Sequence, residues 1–238
     1  MLITDRLPQR DLAWEIDPYP CIGGATFLRL GISQSFFYPE IVARVQNGEH
    51  LLDVGCCLGQ DIRKIVFDGA PSENIYGTDL HGGLMEVGYD LFLDRDRLRS
   101  TFIAADIFDP SSSLAQLHGR IDIVYAGSFL HLFDWESQVA AAKRLVALMR
   151  PQKGGLIVGQ GFGHLDADLY PLGPNTSRRI YKHNPESFAR MWEQVGAETG
   201  TSWNVHGQLE VMNQAGWSKT GQWGDPDSRL LRFSLSME

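Results

Sequence analysis

The sequence predicts an α/β protein: a seven-stranded, mostly parallel sheet with helices on both faces and an antiparallel pair at its C-terminal edge. Three observations carry this. From Leu51 onward, short apolar runs alternate with segments of helical period, the pattern of a parallel sheet covered on both sides. The first run, Leu51-Leu-Asp-Val54, passes through the tight turn Gly55-Cys-Cys-Leu-Gly59 straight into a helix beginning near Gln60. Two late runs, Trp203–Val211 and Leu230–Leu235, follow the last helix with no helix between them, which suits an antiparallel edge.

Residues 1–35 have no clean period but are dense in aromatics, with Trp14, Tyr19, Phe27 and then Phe36-Phe-Tyr38. Pro18 and Pro20 hold Tyr19 in extended backbone, and such aromatics do not stay in water. The segment is expected either to pack as a strap or to close as a lid that brings Tyr19 to the reacting group. Pro39 opens a helix with Ile41, Val42 and Val45 on one face, ended by Asn47-Gly48. Strands are expected at Leu51–Val54, Asn74–Leu80, Thr101–Asp106, Ile121–Ala126 and Leu156–Val158. Helices fill the gaps: one carries Ile62, Ile65 and Val66, the next Leu84, Val87, Leu91 and Phe92, and a third runs from about Glu136 to Met149. Residues 162–183 are rich in Gly, Pro, Asp and Arg without a period and read as an inserted loop. Asn184-Pro-Glu-Ser187 then caps a helix through Phe188, Met191, Trp192 and Val195.

The chain has 238 residues, 43% hydrophobic and 21% charged, enough for a full core. A net charge of −8 and the lack of any Lys/Arg run exclude the basic stripe of a nucleic-acid binder. No apolar stretch reaches membrane-spanning length, and Asp5, Arg6, Arg10 and Asp11 break up any signal-peptide core. A cytoplasmic protein with a small-molecule substrate, and no membrane or nucleic-acid partner, is therefore expected. Three cysteines, two of them adjacent at Cys56 and Cys57, make no disulfide framework, and no His/Cys/carboxylate grouping has metal-ligand spacing. With no repeat or internal boundary, one domain is expected over 1–238, with 1–46 as a helical or lid segment and 162–183 as a substrate-side insertion.

The glycine turn indicates the ligand. Gly55 and Gly59 let backbone approach where a Cβ would collide, and the helix start offers free N–H donors. Asp53, two residues before Gly55, would repel a dinucleotide's pyrophosphate but suits the ammonium and sulfonium of S-adenosylmethionine. Asp79 and Asp106 fall at or near the ends of the second and third strands, along the rim where open α/β sheets bind ligands. Asp79 is expected to accept from the ribose hydroxyls. Asp106 is expected to accept from the adenine amino group, with Leu80 and Ile107 beside the ring. Ala126, at the end of the fourth strand, completes the set.

The chain resembles the class I S-adenosylmethionine-dependent methyltransferases, with their Rossmann-like sheet, and most of all the fungal secondary-metabolite branch that includes carboxyl O-methyltransferases of meroterpenoid pathways. The stretches that carry the resemblance are Pro18-Tyr-Pro-Cys-Ile22, Leu52-Asp-Val-Gly-Cys-Cys-Leu-Gly-Gln-Asp-Ile-Arg63, Phe67-Asp-Gly-Ala-Pro-Ser-Glu-Asn74, Ala104-Ala-Asp-Ile-Phe-Asp109, Phe129-Leu-His-Leu-Phe-Asp-Trp135 and Tyr181-Lys-His-Asn-Pro-Glu-Ser-Phe188. The resemblance implies an O-methyltransferase of secondary metabolism, with S-adenosylhomocysteine as product. One departure is Cys57, where the wider superfamily has its middle glycine.

Methyl transfer is an in-line displacement that needs alignment and exclusion of water. Ala126-Gly-Ser-Phe129 replaces the Asn/Asp-Pro-Pro-aromatic loop that the wider superfamily uses for many amino acceptors, which argues against that chemistry. The resemblance to the carboxyl-methylating branch implies a small, largely apolar carboxylic acid or phenol as substrate. His131 and Tyr19 are the catalytic candidates, His131 as a base or as a hydrogen-bonding group. Phe133, Tyr181 and His183 are expected at the substrate, and Arg178, Arg179 or Lys182 could pair with a substrate carboxylate. Two other readings stay open: a cyclase or isomerase that keeps the fold and cofactor without methyl transfer, and a non-catalytic, cofactor-sensing partner of pathway enzymes.

Overall fold

A computed structural model describes residues 8–172, 177–211 and 225–238. The connection between the two late strands, 212–224, and the start of the N-terminal segment, 1–7, lie outside the described residues. Five parallel strands, β1 (Leu51–Val54), β2 (Ile75–Asp79), β3 (Thr101–Ala104), β4 (Ile123–Gly127) and β5 (Leu156–His164), form the body of one sheet. Two more, β8 (Trp203–Glu210) and β9 (Ser228–Met237), complete it, and the order is β3-β2-β1-β4-β5-β9-β8. As the sequence predicts, β9 runs antiparallel to both of its neighbours. The order reverses between β1 and β4, which puts the ligand crevice over their carboxyl ends.

Helices cover both faces, and the two-residue period of the strands divides the core between them. Leu51, Ile75, Ile123, Leu156 and Val158 face α3 (Tyr38–Gln46) and α4 (Gln60–Phe67), meeting Ile41, Val45, Ile62 and Ile65. Leu52, Val54, Val124, Ile157, Phe233 and Leu235 face α6 (Trp135–Leu148) and α7 (Pro185–Thr199), with Phe188, Met191 and Trp192 at the centre. Asp134 caps α6 by accepting from the Ser137 N–H at 2.9 Å, and Asn184 and Ser187 form the reciprocal capping box of α7.

Two regions differ from the sequence expectation. β5 continues through Gly159-Gln-Gly-Phe-Gly to His164, because β9 pairs with it along its whole length and supplies the hydrogen bonds that a glycine-rich run cannot advertise. The expected loop at 162–183 holds a two-stranded ribbon, β6 (Asp168–Pro171) and β7 (Arg179–Lys182), and His183 then bridges to Gly163 of β5. Residues 173–176 lie outside the described residues. Before α3 the chain forms α1 (Pro8–Ile16), α2 (Pro20–Gly23) and two single 3-10 turns, at Thr26–Arg29 and Gly31–Gln34. Ala13, Ile22 and Phe27 pack on Leu58 of the glycine turn and on Leu84 and Val87 of α5 (Gly82–Phe92).

That packing is tight. A Cβ placed on Gly88 of α5 would stand 2.2 Å from the Leu58 carbonyl oxygen, a backbone atom with no freedom to move aside. Gly88→Ala should therefore cost about 1–3 kcal/mol, the usual cost of overpacking. It should also weaken ligand binding at the turn that Leu58 belongs to. Urea unfolding curves of the two proteins measure the first effect; an unchanged midpoint would mean that α5 and the turn are not pressed together.

Candidate cofactor and substrate site

The glycine turn has the conformation its spacing implies. Gly55 and Gly59 both have φ of +70°, and the backbone N–H groups of Gly55 and Cys56 both donate to the Thr78 carbonyl, at 2.8 and 3.0 Å. A Cβ on Gly55 would lie 3.0 Å from the Phe129 ring. Cys57, standing where the superfamily has glycine, also has a positive φ of 53°, so a left-handed conformation costing about 1–2 kcal/mol for an L-residue is held here by its surroundings. Its N–H donates to the Asp79 carboxylate at 2.9 Å, and the other Asp79 oxygen accepts from the His81 N–H at 3.1 Å. Burial pushes the Asp79 carboxyl up, against these two N–H donors.

Asp53 shares its strand face with Leu51 and points beneath the N-terminal segment, where Asp61 of α4 also turns inward. Both carboxylates are buried. One Asp61 oxygen accepts from the Ile32 N–H at 3.0 Å and the other from the Gln60 side chain at 3.2 Å, whereas Oδ2 of Asp53 has no hydrogen-bond partner. Burial raises the Asp61 carboxyl to about 6, against the two donors, and lifts Asp53 well above its usual range, with Asp61 and Asp79 adding to the effect. The Tyr125 hydroxyl, buried nearby, is raised by the same burial and then by both carboxylates. Asp61 escaped the sequence reading, because an acid in a helix's first turn ordinarily reads as a dipole partner.

Buried acids without a cation are costly. Their presence beside a turn built for close backbone approach fits a ligand that brings positive charge, and S-adenosylmethionine carries an ammonium and a sulfonium. The rest of the rim suits the remainder of that molecule. Asp106 is exposed and already accepts from the Phe108 N–H at 2.9 Å. Leu80 is 58% and Phe108 38% exposed, an uncovered apolar rim next to Ile107.

Other expected residues are placed differently. The methyl group of Ala126 is fully buried in the core under α6 and α7. His183 packs inside: Nδ1 pairs with the Ser187 hydroxyl at 2.8 Å and Nε2 with Oε1 of Gln138 at 3.2 Å. These bonds tie α6 to α7. Tyr181 stacks edge-on against Trp135, and Phe133 stands edge-on between Phe108 and Phe129, at the Phe108 end of the rim. Tyr19 sits just ahead of α2, and its phenol is raised to about 12 by burial and then by Asp17 and Asp79, so it stays neutral. His131 is buried against Phe162 and Gly161 with no partner for Nδ1. Burial, then the charge of Lys182, lowers it to about 3. A histidine so placed is a poor base near neutral pH.

The fold is the one shared by S-adenosylmethionine-dependent methyltransferases of known structure. Among solved structures, a Burkholderia thailandensis 1,6-didemethyltoxoflavin-N1-methyltransferase superposes with a TM-score of 0.56 at 15% identity, covering 86% of this chain and 80% of that one. The [4+2]-cyclase SpnF superposes with 0.55 at 14%, covering 83% and 79%. No family model matches. Sequence relatives are nearer. O-methyltransferase phiE of Fungal sp. (strain ATCC 74256) is 49% identical over 82% of this chain and 66% of its own length. O-methyltransferase atr3 of Stereocaulon alpinum is 45% identical over 84% and 59%, and methyltransferase adrK of Penicillium roqueforti is 46% identical over 82% and 70%. The chain belongs to this family of fungal secondary-metabolite methyltransferases. It spans 66% and 59% of the lengths of phiE and atr3. Among the described residues no helix is long and apolar enough to cross a membrane, and no group of three or more His, Cys, Asp or Glu side chains is placed to hold a metal.

The acid pair gives cofactor binding a pH signature. Burial holds the Asp61 carboxyl at about 6 and lifts the Asp53 carboxyl well above its usual range. A bound cation lowers both carboxyls and releases protons, so affinity should rise with pH through about 6, by up to about tenfold per unit for each proton released. Calorimetry at pH 6.5 in buffers of differing ionisation heat should show proton release with S-adenosylmethionine, reduced in Asp61→Asn. Identical heats in every buffer would remove the pair from the site.

Proposed function

We propose that this chain is an S-adenosylmethionine-dependent O-methyltransferase whose acceptor is the carboxylate of a small, largely apolar acid of secondary metabolism. The observation that carries the proposal is the pair of buried, uncompensated acids beside the glycine turn, in a chain of a methyltransferase family. Asp53 and Asp61 are the residues for the positively charged end, the turn from Gly55 to Gly59 for close backbone approach, Asp79 for the ribose, and Asp106 with Leu80, Ile107 and Phe108 for the adenine. When bound, the cofactor supplies an electrophilic methyl group, the electrons of its bond to sulfur staying on sulfur.

The protein's own part is alignment and exclusion of water. The N-terminal segment, α1 through the 3-10 turn at Gly31–Gln34, covers the acid pair from above, with the Ile32 N–H fastened to Asp61 and His81 paired to Asp17 at 2.9 Å. Tyr19, neutral and close enough to feel the Asp79 charge, offers a hydrogen bond at this end of the crevice. One domain with this segment and the β6–β7 ribbon on either side of the substrate is the arrangement we favour. A carboxylate acceptor is already ionised at neutral pH and needs no base, which agrees with a His131 too acidic to serve as one. The cyclase and partner-protein readings differ in product: only methyl transfer yields S-adenosylhomocysteine with a methyl ester.

Turnover should then be nearly flat from about pH 7 to 8.5, since neither the acceptor (pKa near 4) nor His131 titrates there. His131→Ala should lower turnover by less than about tenfold, short of the 10²–10⁴-fold loss of a general base. A profile that climbs with pH in the wild type and flattens in the variant would assign the acceptor as a phenol.

A further inference from the structure

Lys182 is buried at 5% exposure, yet its ammonium has a single hydrogen bond, to the Ser228 hydroxyl at 3.0 Å. It lies over the Tyr170 ring at 4.9 Å. No carboxylate stands within ion-pair distance of it among the described residues. Asp225, the acid whose charge it feels, is taken up by His164 Nε2 at 2.7 Å and by the Asp227 N–H at 3.0 Å. Register fixes where Lys182 points. His183 bridges to Gly163 in parallel, so Lys182 falls on the opposite face, that of Phe162 and His164, and His164 pairs with Ser228 on that same face. Phe162 also carries the His131 ring, 4.6 Å away between centroids. At the carboxyl end of β5, Phe162 thus meets His131, whose Nδ1 has no partner, and shares a strand face with the Lys182 ammonium.

We propose that Lys182 is the anchor for the substrate's carboxylate, holding it between the ribbon and the end of β5. This rests on the methyl-transfer reading above and adds the residue that selects an acid. A buried ammonium with one hydrogen bond and an acid already engaged elsewhere is poorly compensated, and a methionine of similar length would pack there at lower cost. The positive charge at Lys182 also accounts for part of the depression of His131, which keeps that ring neutral and able to donate from one nitrogen. A methyl ester has no charge for the ammonium to hold, so the same contact that recruits an acid lets its ester go.

Benzoate and methyl benzoate serve as probes, titrated by saturation-transfer NMR against the full chain with and without S-adenosylhomocysteine. Wild type should prefer benzoate over the ester by tenfold or more. Lys182→Met should lose that preference while keeping S-adenosylhomocysteine affinity and melting at an equal or higher temperature, and Lys182→Arg should recover part of it. Equal benzoate binding in wild type and Lys182→Met, or no preference for benzoate in wild type, would overturn the proposal. Failure to bind S-adenosylhomocysteine would count against the cofactor reading alone, because the benzoate titration without it reports on Lys182 separately. A lower melting temperature in Lys182→Met with unchanged probe selectivity would mark Lys182 as a packing residue and overturn the assignment.

Discussion

Asp53 comes from near the end of a central strand and Asp61 from the first turn of the next helix, and the two carboxylates are buried close together with no cationic side chain paired to either among the described residues. Apolar residues of similar size at both places would give a more stable protein. The surroundings are shaped by this. The Ile32 N–H is drawn onto Asp61, which seats the last turn of the N-terminal segment on α4, and Gln60 turns in to serve the same carboxylate. The Tyr125 hydroxyl is buried close enough to feel both carboxylates.

The sheet was legible because its strands announce themselves: apolar runs bounded by glycine and acid, with helical stripes between. Strand order was not. That β9 lies between β5 and β8 follows from pairing between residues far apart in the chain, and no local period encodes it. The same cause hid the second half of β5. Gly159-Gln-Gly-Phe-Gly has poor strand propensity and becomes a strand because Leu231 and Phe233 lie across from its glycines, where any larger residue would collide.

Of the site, the parts carried by one short stretch could be read, namely the turn and the acids at the ends of β1 and β2. The parts made by two elements could not. Asp61 matters because Asp53 lies opposite, and Lys182 because β7 turns it toward Ser228. His183 shows the converse. Beside Tyr181 and Lys182 in sequence it looks like part of a binding loop, but alternation sends it to the other face, where Ser187 and Gln138 satisfy both ring nitrogens. A ribbon places neighbours on opposite sides, so adjacency in sequence misleads there.

The position of β9 also has a temporal consequence. β5 lies inside the sheet, yet its outer edge is paired only by residues 228–237, far along the chain from the strands on its other side. Until then β1 to β5 can assemble with one flank of unpaired N–H and C=O groups, glycine-rich and easily approached by another strand. Closing that flank is a long-range event with a large loop to bring in, so it should be the slow step of folding. The same closure brings Ser228 to Lys182. The end of β5 that holds Lys182 thus takes shape after the rim formed by β1 to β3.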